Sequence, residues 1–213
     1  MLKFVERHKK PEVCIITPLR PQDKISKETK ITVKRNNINR LWVTYTSDGN
    51  VAYNFKKGFE ELKNVYKNLP PYTIKIDANT IWNRKTLDYL SNTLKNSGDN
   101  IAYAYCSFKY QGTVNNEFPA LNFDPLKLKQ MNYISSNSLF KTWVLEKFPI
   151  ISDEKYKRLL DWAYYLHLLN NGYIGIPCGK GYFISISHPD NVSSGDRDDF
   201  LLKYKRVKED FVI

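Results

Sequence analysis

The chain has 213 residues, 42% of them hydrophobic and 14% aromatic, which suits one domain with a well-filled core and excludes a disordered segment. Lysine and arginine number 33 against 22 acids, a formal net charge of +11. That balance favours an anionic partner, whether nucleic acid, acidic lipid or a phosphate-bearing small molecule, without choosing among them.

No run approaches the roughly 20 apolar residues of a membrane span. The opening MLKFVERHKKPEVCIITP lacks the apolar core of a signal peptide, so a cytoplasmic location is expected. Asn191-Val192-Ser193 fits the glycosylation acceptor pattern, but without a secretory signal it reads as chance. Repeats, heptads and low-complexity tracts are absent.

In chain order, residues 12–18 (EVCIITP) read as a buried strand closed by proline, and 40–46 (RLWVTYT) as a second strand ended by the turn Ser47-Asp48-Gly49-Asn50. Residues 24–39 are polar with weak helical periodicity. Phe55, Phe59, Leu62 and Tyr66 are spaced four, three and four apart, predicting an amphipathic helix over 53–68 that stops at Pro70-Pro71. Residues 72–76 form a third strand, 84–95 a helix with Leu87, Leu90 and Leu94 on one face, and 101–108 a fourth strand. Strands without polar alternation, separated by helices, predict an α/β fold whose mostly parallel sheet is covered on both faces.

The second half is less regular. Residues 109–135 read as irregular, and 137–148 as a turn into a short helix. Residues 153–170 read as one long helix with Leu159, Trp162, Ala163, Leu166 and Leu169 inward and Gly172 beyond its end. Two strands, 173–177 and 181–187, follow, then a basic amphipathic helix from residue 197. Cys14, Cys106 and Cys178 are far apart and odd in number, so buried free thiols in a reducing compartment are expected. The expected organisation is a single domain with a nucleotide-binding half (12–108), an acceptor and catalytic half (109–190) and a terminal helix (196–213). The helix-like run at KEDFVI is consistent with a domain cut from a longer chain.

In open α/β sheets ligands bind at the carboxyl ends of the strands. Those ends supply Thr17, Pro18, Leu19 and Arg20, then Asp48, then Asp77 and Asn79, and finally His188. GxGxxG and GxxxxGK[ST] loops are absent, as are HExxH, paired CxxC and GxSxG. What remains is a hard, oxygen-rich site of the kind that holds Mg²⁺ or Mn²⁺ together with a nucleotide diphosphate.

Four segments in this order resemble the GT-A fold of nucleotide-diphosphosugar glycosyltransferases, close to glycosyltransferase family 2. VCIITPLRP (13–21) resembles the opening strand and donor loop, and LWVTYTSDGN (41–50) the second strand, whose terminal acid contacts the base. YTIKIDANTIW (72–82) resembles the strand carrying an Asp-x-Asp signature, and LLDWAYYLHLLNNGY (159–173) the late helix whose acid is the catalytic base of inverting members. Length and residues also resemble the amino-terminal glycosyltransferase domains with which chloroviruses decorate their major capsid protein, which would place the chain in a host-cell cytoplasm. The chain departs from the family pattern in having Asn79 for the second signature acid, a single Asp48, and Leu160 before Asp161.

The resemblance implies a UDP-sugar donor and a glycan or glycoprotein acceptor. It makes Asp161 the base, and puts Thr17, Pro18, Leu19, Arg20, Asp48, Lys57, Asp77, Ala78 and Trp162 on the donor. It puts Asp77, Asn79 and His188 on a Mn²⁺ or Mg²⁺ ion, with residues 110–122 as candidate acceptor contacts.

Each role has a plainer rival. Asp77 and Asn79 could cap a helix, Asp48 could serve its turn alone, and Asp161 could be a solvated helix acid. His188 could simply pack, and Arg20 and Lys57 could be solvated charges. Rival functions are sugar-phosphate nucleotidyl transfer and nucleic-acid binding through the positive charge and Tyr103, Tyr105 and Tyr110. The apolar neighbours of those tyrosines favour core packing, and no nucleic-acid partner is expected. A peripheral membrane contact of the basic tail stays open.

Overall fold

The computed structural model describes residues 1–187 and 197–212. In chain order the elements are β1 (Leu2–Arg7), β2 (Val13–Leu19), α1 (Lys27–Lys34), β3 (Arg40–Thr46), α2 (Val51–Val65), β4 (Tyr72–Lys75), β5 (Thr80–Trp82) and α3 (Thr86–Lys95). Then come β6 (Ile101–Gly112), β7 (Asn116–Phe118), α4 (Pro125–Gln130), β8 (Leu139–Lys141), α5 (Thr142–Lys147), a 3₁₀ turn at Glu154–Tyr156, α6 (Leu160–Asn170), β9 (Ile174–Ser187) and α7 (Arg197–Phe211).

All strands join one sheet in the order β1-β3-β2-β4-β8-β6-β9-β5, with β7 attached to β6. β2 shows why it lies in the middle. Its seven residues are all buried, with no polar alternation. Because successive side chains point to opposite faces, Cys14 and Ile16 enter one core with Phe55, Phe59 and Leu62 of α2 and Trp162 and Leu166 of α6. Val13 and Ile15 enter the other, with Val33 of α1 and Leu87, Leu90 and Leu94 of α3. All three cysteines are free and buried, as expected, and burial pushes the Cys14 thiol up to about 12.

The sheet is mixed, not mostly parallel. β3, β2 and β4 run parallel, as do β6 and β9, but β8 is antiparallel to both β4 and β6 and joins the two blocks. β1 on β3, β5 on β9 and β7 on β6 are also antiparallel. β8 escapes sequence reading because it has three residues and runs straight into α5, so it reads as the start of that short helix. β1 is an edge strand whose burial does not alternate cleanly.

Two further corrections matter for the site. The long helix expected over 153–170 is broken: Asp153 caps the 3₁₀ turn, and Arg158 adopts φ +76 before α6 begins at Leu160. This puts Asp161 in the first turn of α6. The two late strands are one, β9, bent at an irregularity in its pairing with β6. Residues 109–135 hold the end of β6, β7 and α4, so they are more regular than expected. α7 closes over α6, with Val207 fully buried and Tyr204 stacked on Trp162 at 5.0 Å. Among the described residues no helix is long and apolar enough to cross a membrane.

Candidate functional site

The end of β4 is built around Asp77. Lys75 and Asp77 are two residues apart and so leave the strand on one side. The Lys75 ammonium donates to Asp77 Oδ1 at 2.6 Å, and Asn137 Nδ2 donates to Oδ2 at 3.0 Å. The Asp77 backbone N–H returns a bond to Asn137 Oδ1 at 3.1 Å, so Asn137 grips the residue twice. The Ala78 carbonyl accepts from the Ser26 backbone and from Thr29 Oγ1, both at 2.9 Å, which ties the loop to the start of α1. Asn79 Nδ2 donates to the Ile186 carbonyl at 2.7 Å, and the Ile186 N–H donates back to the Asn79 carbonyl at 3.1 Å. Helix capping does not explain this group. Thr80 opens β5, and α3 begins only at Thr86, behind Lys85 at φ +68 with no side-chain cap.

Asp161 projects from the far half of the chain into the same region. Its Oδ2 accepts from Asn132 Nδ2 at 3.1 Å and its Oδ1 from the Trp162 backbone at 2.9 Å. Burial raises its pKa above the ordinary carboxylate value, opposed by the Trp162 N–H, the Lys75 charge and Asn132. The solvated-acid alternative therefore fails, since the residue is half-buried and bonded. The Tyr110 hydroxyl is pushed up by burial and then by the charges of Asp161 and Asp77. Lys75 acts on both acids and both acids act on Tyr110, so the mixed sheet gathers the four into one neighbourhood.

The other strand ends are arranged differently. Thr17 is fully buried, and its Oγ1 accepts from Trp42 Nε1 at 3.0 Å, so its side chain serves the core and not a ligand. Pro18 pairs with Tyr45 inside the sheet, and Leu19 is 8% exposed. Arg20 forks onto Asp23, with Nε and one terminal nitrogen at 3.0 and 3.2 Å. Lys57 binds Glu60 at 2.7 Å on the flank of α2. Trp162 offers no stacking wall, being fully buried with its Nε1 donating to the Leu128 carbonyl at 2.7 Å. Tyr103 and Tyr105 are 0% and 2% exposed, core residues as their neighbours suggested.

Asp48 is exposed and lines a cavity of about 440 Å³ with Ser47, Gly49, Asn50, Tyr53, Ser152 and Glu154. Asn50 joins the two walls: it caps α2 through the Tyr53 N–H and donates to the Ser152 carbonyl and to Glu154 Oε1. Behind the cavity, buried Asn54 donates to the carbonyls of Leu19, Ser47 and Gly49 at 2.7, 3.1 and 3.2 Å and accepts from Ser47 Oγ. One side chain thereby locks the loop after β2 to the loop after β3.

His188 lies outside the described residues. Ser187 before it is buried, and its Oγ accepts from the Val114 N–H at 3.0 Å. Gly112 at φ +128 sits so close that a Cβ there would meet the Ser187 carbonyl at 2.4 Å.

Among the described residues no group of three His, Cys, Asp or Glu side chains could hold a metal. The remaining donors fit a divalent ion poorly. Both Asp77 oxygens are engaged, one by an ammonium group, and Asn79 offers only a neutral amide oxygen.

Lys75, Asn132, Asn137 and Asn54 were not singled out from the sequence, and Tyr110 was named there only as a base-stacking candidate and at the start of the candidate acceptor segment. For Lys75 a signal existed, because a lysine ending an otherwise apolar strand is rarely buried without a partner. The asparagines carry no such signal.

No protein-family model matches the chain, and no curated protein matches it in sequence. Solved structures do match. S. aureus TarS residues 1–349 with UDP superposes at TM-score 0.61, with 12% identity over 92% of this chain and 64% of that one. The complex of the same fragment with UDP-GlcNAc gives 0.60 at 13% identity, covering 92% and 65%. The mannosyltransferase PcManGT from Pyrobaculum calidifontis, with GDP-Man and Mn²⁺, gives 0.50 at 12% identity, covering 86% and 57%. The chain spans 39% of a further TarS structure. At these identities the likeness is one of fold, shared with proteins that hold sugar nucleotides.

Proposed function

We propose that the chain is a glycosyltransferase domain that moves a sugar from a UDP-sugar to an acceptor hydroxyl with inversion at the anomeric carbon. The observation that carries this reading is that Lys75, bonded to Asp77 at the end of a sheet strand, also acts on Asp161 at the start of a helix, and that both acids act on Tyr110. A donor-orienting acid and a base brought into one site are what an in-line displacement requires. The fold shared with proteins solved with UDP-GlcNAc and GDP-Man supports it.

The uracil would lie in the cavity at Asp48, walled by loops that Asn54 fixes, and the ribose and diphosphate would run towards Asp77. Asp161 takes the proton of the acceptor hydroxyl. The acceptor oxygen forms its bond to the anomeric carbon as the bond from that carbon to the β-phosphate oxygen breaks, and UDP leaves with the electron pair. Burial of Asp161 raises its basicity, and the Asn132 bond aims it. The hairpin of β6 and β7 is the candidate acceptor wall. The narrower resemblance makes that acceptor a glycoprotein of a virus and the compartment a host cytoplasm.

A panel of UDP-sugars, assayed for UDP release and for product anomer by NMR, tests the reading. Transfer with inverted configuration is expected from at least one donor. Retention of configuration, or no binding of any nucleotide diphosphate, would overturn it.

A further inference from the structure

Lys75 is the least expected residue of the site. It ends a strand whose neighbours Thr73 and Ile74 are fully buried, and only 9% of its own side chain is exposed. An ammonium in that position needs a strong partner, and it has Asp77 at 2.6 Å. Its charge also reaches Asp161. It is therefore a cation that contacts the donor acid and acts on the base, in the region where the negative charge of a leaving diphosphate would build up.

A divalent cation has little left to bind there. One Asp77 oxygen carries the ammonium and the other the Asn137 amide. Asn79 is turned by its bond to the Ile186 carbonyl and can add only one neutral oxygen. Two cations at one carboxylate repel each other, and the resident one is covalently part of the chain.

Resting on the function proposed above, we infer that Lys75 is the cation of this site, and that the nucleotide diphosphate binds without a divalent metal. Where a metal would bridge acid and diphosphate, the ammonium group does so: it binds Asp77 and offers its remaining protons to a phosphate oxygen when donor arrives.

Calorimetric titration of UDP into the whole chain, once in EDTA and once in Mn²⁺, tests this. The expected dissociation constants agree within about threefold. Lys75→Arg, which keeps the charge, should bind in EDTA nearly as well as the parent. Lys75→Met should lose at least about tenfold in EDTA and recover part of it in Mn²⁺, because Asp77 is then free to ligate. A parent protein that binds UDP at least tenfold better in Mn²⁺ overturns the inference, as does a folded Lys75→Met with unchanged affinity in EDTA. Absence of UDP binding under both conditions, with other nucleotide diphosphates also failing, would instead overturn the function on which it rests.

Discussion

Asp77 and Asp161 share Lys75 and Tyr110 as neighbours in charge, yet the chain holds them in opposite ways. Asp77 is a paired charge, fixed by an ammonium group on one oxygen and an amide on the other. Asp161 is desolvated and has only hydrogen-bond donors in contact, with the Lys75 charge acting on it from beyond. The first arrangement fixes the carboxylate in one orientation, useful for orienting a donor. The second makes a carboxylate more eager for a proton, which a base needs. The division follows the fold, since the parallel block β3-β2-β4 supplies the fixed acid and the first turn of α6, behind the antiparallel β8, supplies the reactive one.

The largest expected effect is on the fixed side. Asp77→Leu leaves the Lys75 ammonium nearly buried and unpaired, and chemical denaturation should show a loss of about 3 kcal/mol or more. The double variant Lys75→Met/Asp77→Leu should recover most of it; if it does not, the pair is not what the site is built around. Next is Asn54→Ala, which removes the side-chain donor shared by three backbone carbonyls. It should cost about 2–3 kcal/mol and weaken UDP binding in the same variant, because the two loops lose their common anchor.

On the reactive side the expected change is smaller and opposite in sign. Because the folded state raises the Asp161 pKa, it holds that proton more tightly than the unfolded chain does. The associated stability is full below the unfolded carboxylate range and is lost as pH rises through the folded value. At pH 7.5 the ionised acid thus weakens the fold, and Asp161→Asn should raise Tm by roughly 2 °C. The difference should vanish below about pH 4. A variant that melts lower at pH 7.5 would show that Asp161 is a structural anchor like Asp77. The smallest effects belong to Arg20→Ala and Lys57→Ala. Both cations are committed to neighbouring acids at the surface, so UDP affinity should move by less than about twofold.

The frame of the fixed side was legible in the sequence. Apolar runs at residues 12–18, 40–46 and 72–76 became β2, β3 and β4, and the Phe55–Phe59–Leu62 spacing became the inner face of α2. Strand ends then pointed to Asp48, Asp77 and Asn79 without side-chain detail. Other features were not legible, for physical reasons. A three-residue strand such as β8 has no periodicity to detect, so the antiparallel join was missed. A helix start set by one residue at φ +76, Arg158, leaves no mark in an apolar pattern. The direction of Trp162 and Thr17 depends on partners, Leu128 and Trp42, far away in the chain. Asn54, Asn132 and Asn137 act through the hydrogen bonds they make, and composition does not distinguish them from loop asparagines.

The division of labour between the two acids is tested most directly by steady-state turnover of a UDP-sugar at saturating donor, with UDP affinity measured alongside, for the parent and Asp161→Asn. The predicted result is a kcat lowered by about 10²-fold or more, as for loss of a general base, with the UDP dissociation constant unchanged within about twofold. Equal turnover in the two proteins, or a loss confined to UDP affinity, would contradict the account.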